Sequence, residues 1–485
     1  MKICRQWGGA MMVFIALTFA KKTDSRVLRA GSTRTVASHG IWKNLRRTSN
    51  GIRNNFHRTL QRSPFKSRSI SGTHSLVFND DLEMQLSQII KERKLRRDEK
   101  SGGRASLPAV AFDIDGVFKM GGQYSAAGAE ALRKVVDAEI PYVLVTNGGG
   151  GRTEEQYANE MNKKLQAVDE KSADMEFVTG DQMILSYTPF DSDLSHLKNE
   201  PVLIVGSPRI LEAAVNYGFT KAMHLSEYTC RHPTMNPFGK SGLEKDDCVI
   251  NLAREEWNED FKAILVFTDP VDFFEGIQVL TDVLLSSKPG KVEFEPERRI
   301  PIVFSNPDLL WKTQYPHARF GQGAFRLALE VCYKARLQNL GASEKEIENR
   351  LRDFVQYGKP EIAQFLHTKR ALIKQAAKTG EHHCKKQNAN DGVVTRCDIS
   401  HYYMVGDNPM SDIQGAINMD ERARSKDEKR WSGLLVRTGV YKDGDNDLGA
   451  TKIVDNVLDS VDHILDAHKE ELQKLKEQKA TKTVA

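Results

Sequence analysis

Asp113 and Asp115 stand two residues apart at the end of the apolar run Ala109–Phe112, and Gly116 follows them. Thr146, Asn147 and Gly148 follow a second apolar run, Tyr142–Val145, and Asp407 follows a third, Tyr402–Val405, after Gly406. In open α/β sheets, ligands and catalysts gather at the carboxyl ends of strands. Acids converging on one such edge are costly unless a cation or a catalytic task occupies it. Two carboxylates at one strand end can divide the work, one as nucleophile and one as proton donor. A carboxylate attacking a phosphoryl group meets anion repulsion, which a Mg²⁺ held by Asp113 and Asp407 would cancel while polarising the phosphate. Thr146 can hydrogen-bond a phosphoryl oxygen from the second strand end, with Asn147 and Gly148 in the same loop as further phosphate contacts. Lys359, in Tyr357-Gly358-Lys359-Pro360, offers the fixed positive charge that both an aspartyl nucleophile and a transferring phosphoryl group require.

The elements that must carry these residues are read from the hydrophobic pattern. Strands that are apolar throughout alternate with helical stretches, near 126–138 and after a Thr153/Gln156 capping-box pair, which is the signature of a parallel sheet covered on both faces. A second alternation runs through Val202–Val205, Ile264–Phe267 and Ile302–Phe304 before the core returns at Tyr402–Val405 and Leu434–Val436. The chain therefore reads as one α/β core split by an α/β insertion. The boundaries expected are a basic leader over 1–79, a linker helix over 80–104, core over 105–194, insertion over 195–345, core again over 346–466 and a charged tail over 467–485. Residues 375–398 and 420–432 read as surface insertions.

Charge is distributed unevenly over the 485 residues: positions 1–79 hold 15 Lys and Arg against one acid, Asp24, while the remainder carries 55 basic and 64 acidic residues. A basic head on an acidic body is the pattern of a targeting leader and not of a nucleic-acid-binding domain. The segment Ala10–Ala20 resembles a signal-peptide core, whereas the Arg- and Ser-rich stretch behind it has transit-peptide composition. A mitochondrial address is expected, with a bipartite plastid leader or secretion as the alternatives. No stretch reaches the length of a bilayer-spanning helix, so no stable membrane insertion of the mature protein is expected. Six scattered cysteines without a C-x-x-C read as reduced thiols.

Four ordered motifs, Asp113-x-Asp115-Gly116-Val117, Thr146-Asn147-Gly148-Gly149-Gly150, Gly358-Lys359-Pro360 and Gly406-Asp407-Asn408-Pro409-x-Ser411-Asp412, resemble those of the haloacid dehalogenase superfamily. Asn306-Pro307-Asp308, Gly321-x-Gly323 and Val436-Arg437-Thr438-Gly439-Val440 are similar to its NagD-like subgroup. Within that subgroup the chain looks most like the cat eye syndrome critical region protein 5 type, a mitochondrial family. The resemblance implies a Rossmann-like parallel-sheet core with a C2-type cap, and a Mg²⁺-dependent phosphatase of a small phosphorylated metabolite. It implies Asp113 as nucleophile, Asp115 as general acid/base, and Thr146 and Lys359 as phosphoryl-binding groups. Mg²⁺ would be held by Asp113, Asp407 and the backbone carbonyl of Asp115, with Asp412 as ligand or support. Because Asp115 is present, phosphate hydrolysis is expected over dehalogenation. A phosphotransferase of the same mechanism, or an organellar binding or assembly protein that retains the site, are the alternatives. A homodimer is compatible with this reading.

Overall fold

A computed structural model describes residues 106–237, 249–251, 258–288, 295, 297–311, 315, 317–387 and 398–484. The expected leader and the linker helix over 80–104 lie outside these residues.

In chain order the first elements are β1 (Ser106–Phe112), the hairpin β2 (Lys119–Met120) and β3 (Gln123–Tyr124), α1 (Ala126–Asp137), β4 (Tyr142–Val145), α2 (Glu154–Val168), β5 (Met183–Ile184) and α3 (Pro189–Asp193). Next come β6 (Val202–Val205), α4 (Ile210–Asn216), β7 (Ala222–His224), α5 (Leu225–Arg231), β8 (Ala263–Val266), α6 (Phe273–Leu285) and β9 (Ile302–Phe304). The hairpin β10 (Leu310–Trp311) and β11 (Arg319–Phe320), α7 (Gln322–Asn339), α8 (Glu344–Leu351) and β12 (Phe354–Gln356) follow. The chain closes with α9 (Ile362–Gln387), β13 (Asp398–Gly406), α10 (Gln414–Lys426), β14 (Trp431–Val436), β15 (Lys452–Val454) and α11 (Val457–Val484).

Two parallel sheets organise these elements. The core sheet has the order β15-β14-β13-β1-β4-β5 and the cap sheet the order β12-β9-β8-β6-β7. Ala109–Phe112 and Tyr142–Val145 are buried along their whole length, as strands covered on both faces must be. One face of the core sheet packs Ala111, Val143 and Met404 against Phe365 and Leu372 of α9 and Met419 of α10. The cap has its own core, in which Leu203, Val266 and Phe304 meet Val279 and Leu280 of α6 and Phe325 and Leu329 of α7. At α2 the capping box forms as read: Gln156 N–H donates to Thr153 Oγ1 at 3.2 Å and Thr153 N–H to Gln156 Oε1 at 3.1 Å. Among the described residues, no helix is long and apolar enough to cross a membrane.

Four expectations change. The cap does not end at 345, because β12 pairs in register with β9 (Phe354 with Ile302, Gln356 with Phe304) and so extends the hydrogen-bonded cap to Gln356. Residues 375–387 are not part of a loop but the last turns of α9, which runs unbroken from Ile362. The charge run 420–432 is not an insertion: it is the exposed end of α10, a left-handed turn at Asp427 and the entry to β14. Cys230 is disulfide-bonded, against its reading as a reduced thiol.

Candidate active site

In the core sheet β13, β1 and β4 lie side by side, so their carboxyl ends deliver Asp407, Asp113 and Thr146 to one edge. The Asp113 N–H donates to Val405 O at 2.8 Å, which carries the β1–β13 ladder one residue past the strand end. After Asp113 the chain turns sharply, with the Ile114 carbonyl accepting from the N–H groups of Val117, Phe118 and Lys119. Gly116 in that turn has φ +84°, and a Cβ there would stand 2.2 Å from Asp407 Oδ2. Glycine is required on both counts.

Asp407 is gripped from a second loop, which motif reading alone left without a role. Val440 N–H donates to Asp407 Oδ2 at 2.6 Å, and a Cβ on Gly439 would lie 1.8 Å from the same oxygen. The Thr438 hydroxyl donates to the Gly116 carbonyl and ties the two loops together. Asp412 sits in a π turn over Pro409–Ile413, where its Oδ2 accepts from Asn408 N–H at 3.1 Å. Asp113, Asp407 and Asp412, all buried, thus offer carboxylate oxygens within 4.8 Å of one another.

Lys359 enters this cluster at 1% exposure. Its Nζ lies 2.5 Å from Asp113 Oδ1 and 2.7 Å from Asp412 Oδ1, and donates to Val145 O at 3.1 Å. Burial pulls the lysine toward neutrality, but the two carboxylates outweigh it and hold it more strongly protonated than a free lysine. Asp113 is nevertheless raised well above the ordinary carboxylate range, because burial and the like charges of Asp412 and Asp407 together exceed what one ammonium returns. Burial, then Asp412, lifts Asp407 to about 7. Three buried carboxylates against one ammonium leave two negative charges uncompensated when all are ionised. An all-oxygen donor set with that deficit fits a hard divalent cation such as Mg²⁺.

The remaining residues fall at different distances from this centre. Thr146 is buried, and its Oγ1 accepts the Gly148 N–H at 2.9 Å. Asp115 stands apart: its side chain is 52% exposed and pairs with Lys119 at 3.0 Å, so its carboxyl does not join the cluster and only its backbone carbonyl is left for the ligand role expected of it. A Cβ on Gly148 would lie 3.2 Å from Thr146 Oγ1 and 3.7 Å from Asp115 Oδ2, so these two oxygens border one space beside the loop. Asn147 does not point its side chain at that space. Its Oδ1 accepts from Lys359 N–H at 2.7 Å, and its Nδ2 donates to Lys359 O at 2.9 Å and to Asp308 Oδ1 at 3.1 Å. Asp308 comes from the cap and is the residue that sequence reasoning quoted in a motif without assigning a task.

The chain is similar in sequence to known proteins. A family model described as haloacid dehalogenase-like hydrolase matches residues 110–220, and one described as HAD-hydrolase-like matches 356–463. A mitochondrial hydrolase of Saccharomyces cerevisiae is 34% identical over 374 residues, which cover 74% of this chain and 96% of that protein. A cardiolipin synthase (CMP-forming) / mitochondrial hydrolase fusion protein of Schizosaccharomyces pombe is 29% identical over 381 residues, 78% of this chain; the chain spans 56% of the fusion. Among solved structures, a hypothetical protein of Pyrococcus horikoshii OT3 aligns over 74% of this chain and 100% of its own, at 16% identity and a TM-score of 0.46.

Proposed function

Because the chain belongs to the haloacid dehalogenase-like hydrolases, we propose that it is a Mg²⁺-dependent phosphatase that hydrolyses a small phosphorylated metabolite through an aspartyl-phosphate on Asp113. The observation that carries this reading is the cluster of three buried carboxylates closed by one buried lysine at the ends of β1 and β13. In this reading Asp113 attacks the phosphorus, a bond forms from its carboxylate oxygen, and the bond to the leaving oxygen breaks. Asp115, the exposed carboxyl beside Thr146, protonates that leaving oxygen. Asp115 then takes a proton from water, which attacks the aspartyl-phosphate, releases phosphate and regenerates Asp113. The Thr146 hydroxyl hydrogen-bonds a phosphoryl oxygen, and Lys359 holds positive charge against it through both steps. Asp113, Asp407 and Asp412 would hold the Mg²⁺, which neutralises charge on the phosphoryl oxygens.

The name of the budding yeast relative supports a mitochondrial location for this chain. The cat eye syndrome critical region protein 5 type rests on the motifs alone and is part of the same proposal. The test is phosphate release by the full chain across a panel of phosphorylated metabolites, with and without Mg²⁺, beside Asp113→Asn. Turnover that needs Mg²⁺ and vanishes in the variant is the expected result. Background rates throughout, with Mg²⁺ binding intact, would turn the assignment toward a binding or assembly role.

A further inference from the structure

Lys359 is delivered to the core site by the cap. β12 is an edge strand of the cap sheet, and Tyr357 N–H, donating to Phe304 O at 2.7 Å, extends its ladder with β9 by one residue. Gly358 then turns at φ +88° and Lys359 drops into the carboxylate cluster. The neighbouring strand β9 continues as Ser305-Asn306-Pro307-Asp308, so the two cap strands leave the sheet side by side. A Cβ on Gly358 would stand 2.5 Å from Ser305 O and 2.6 Å from Pro307 Cδ, which measures how closely the two exits pack. The core loop meets them at Asn147, whose carboxamide is fully engaged: its two N–H groups go to Asp308 Oδ1 and Lys359 O, and its oxygen accepts Lys359 N–H.

Asp308 is itself fixed by the cap. Its N–H donates to Asn306 Oδ1 at 2.7 Å, and its carbonyl accepts from Gly323 N–H at 2.9 Å in the first turn of α7. Without an acceptor at Asp308, one Asn147 N–H is left buried and unpaired, and the amide loses the constraint that keeps its oxygen toward Lys359 N–H. We propose that Asp308 is a positioning residue: seated with the cap, its carboxyl orients the Asn147 amide, and that amide clamps the Lys359 backbone so that the ammonium meets Asp113. Seating of the cap and placement of the catalytic cation are then one event. The cap acts on the chemistry through Asp308 without touching the phosphoryl group.

The kinetic arm of the test rests on the phosphatase reading, and the exchange arm does not. Full-length Asp308→Ala and Asp308→Asn are compared with wild type on p-nitrophenyl phosphate with Mg²⁺, and by hydrogen exchange of the peptide spanning 357–361. Asp308→Ala lowers kcat about tenfold with KM within about twofold, the pattern of a misplaced group rather than lost binding. Exchange at the Lys359 amide rises by about the same factor, while the β1 and β4 amides keep their protection. Asp308→Asn recovers most of both, because its side-chain oxygen accepts the same N–H. A raised KM with kcat and Lys359 exchange unchanged would overturn the proposal in favour of substrate contact. Equal damage in the two variants with unchanged exchange would also overturn it, since charge and not placement would be at work. If wild type turns over no ester, the exchange result alone decides the clamp and the phosphatase reading fails separately.

Discussion

Replacing Lys359 by methionine removes, among the described residues, the ammonium that contacts Asp113 (2.5 Å) and Asp412 (2.7 Å), while nearly conserving the volume of a fully buried side chain. Packing therefore contributes little to the change, and electrostatics dominates it. Breaking a buried ion pair from one side costs about 3–5 kcal/mol, because the partner charge stays buried without compensation. Here two partners are stranded, and Asp407 lies within the same 4.8 Å cluster, so the upper half of that range is expected in metal-free protein. Equilibrium urea unfolding in EDTA, followed by far-UV circular dichroism, reads the loss as a lower midpoint at unchanged slope. Adding Asp412→Asn to Lys359→Met removes one stranded charge and should return 1 kcal/mol or more, of the order found for directly coupled residues. A Lys359→Met chain within about 0.5 kcal/mol of wild type would refute the argument, since that is the range of an inconsequential surface change. A double variant less stable than the single one would refute it as well.

Mg²⁺ at about 100 times its dissociation constant should stabilise wild type by about 2.7 kcal/mol, and Asp407→Asn should abolish the increment; thermal unfolding with and without the ion measures both. Gly439→Ala places a methyl 1.8 Å from Asp407 Oδ2 and must displace that carboxylate, so kcat should fall by about a hundredfold, read on p-nitrophenyl phosphate, with far-UV spectra unchanged. Burial holds the His224 imidazole down at about 4, against an ordinary value near 6.5. The unfolded chain therefore binds the proton first as pH falls, and stability is complete above about 6.5 and lost toward 4, by up to about 3 kcal/mol. His224→Asn keeps the cap on Ser226 N–H, which His224 Nδ1 accepts at 3.1 Å, and should flatten urea midpoints between pH 7.5 and 4.5.

The parts of this molecule that sequence discloses are those with strong local grammar. Fully apolar runs ending in Asp, Thr-Asn or Gly-Asp marked β1, β4 and β13, because a strand buried on both faces cannot hide its polar terminus. The same grammar fails for short edge elements. Met183–Ile184 and Phe354–Gln356 are two and three residues long, too short for periodicity, and only their pairing with β4 and β9 makes them strands. The failure at β12 is the one with functional weight. Read locally, Gly358-Lys359-Pro360 is a lysine before a core helix, and the cap boundary falls at 345. Read with the β9–β12 register, Lys359 hangs from the cap sheet, and Asn147, expected to face phosphate, is the amide that binds it. Neither fact has a one-dimensional signal, since Asn147, Asp308 and Lys359 are separated by 161 and 212 positions across their hydrogen bonds. What sequence supplies is which groups can do chemistry. Which domain carries each group is a property of strand pairing, and it makes Asp308 a residue whose consequence is visible only in three dimensions.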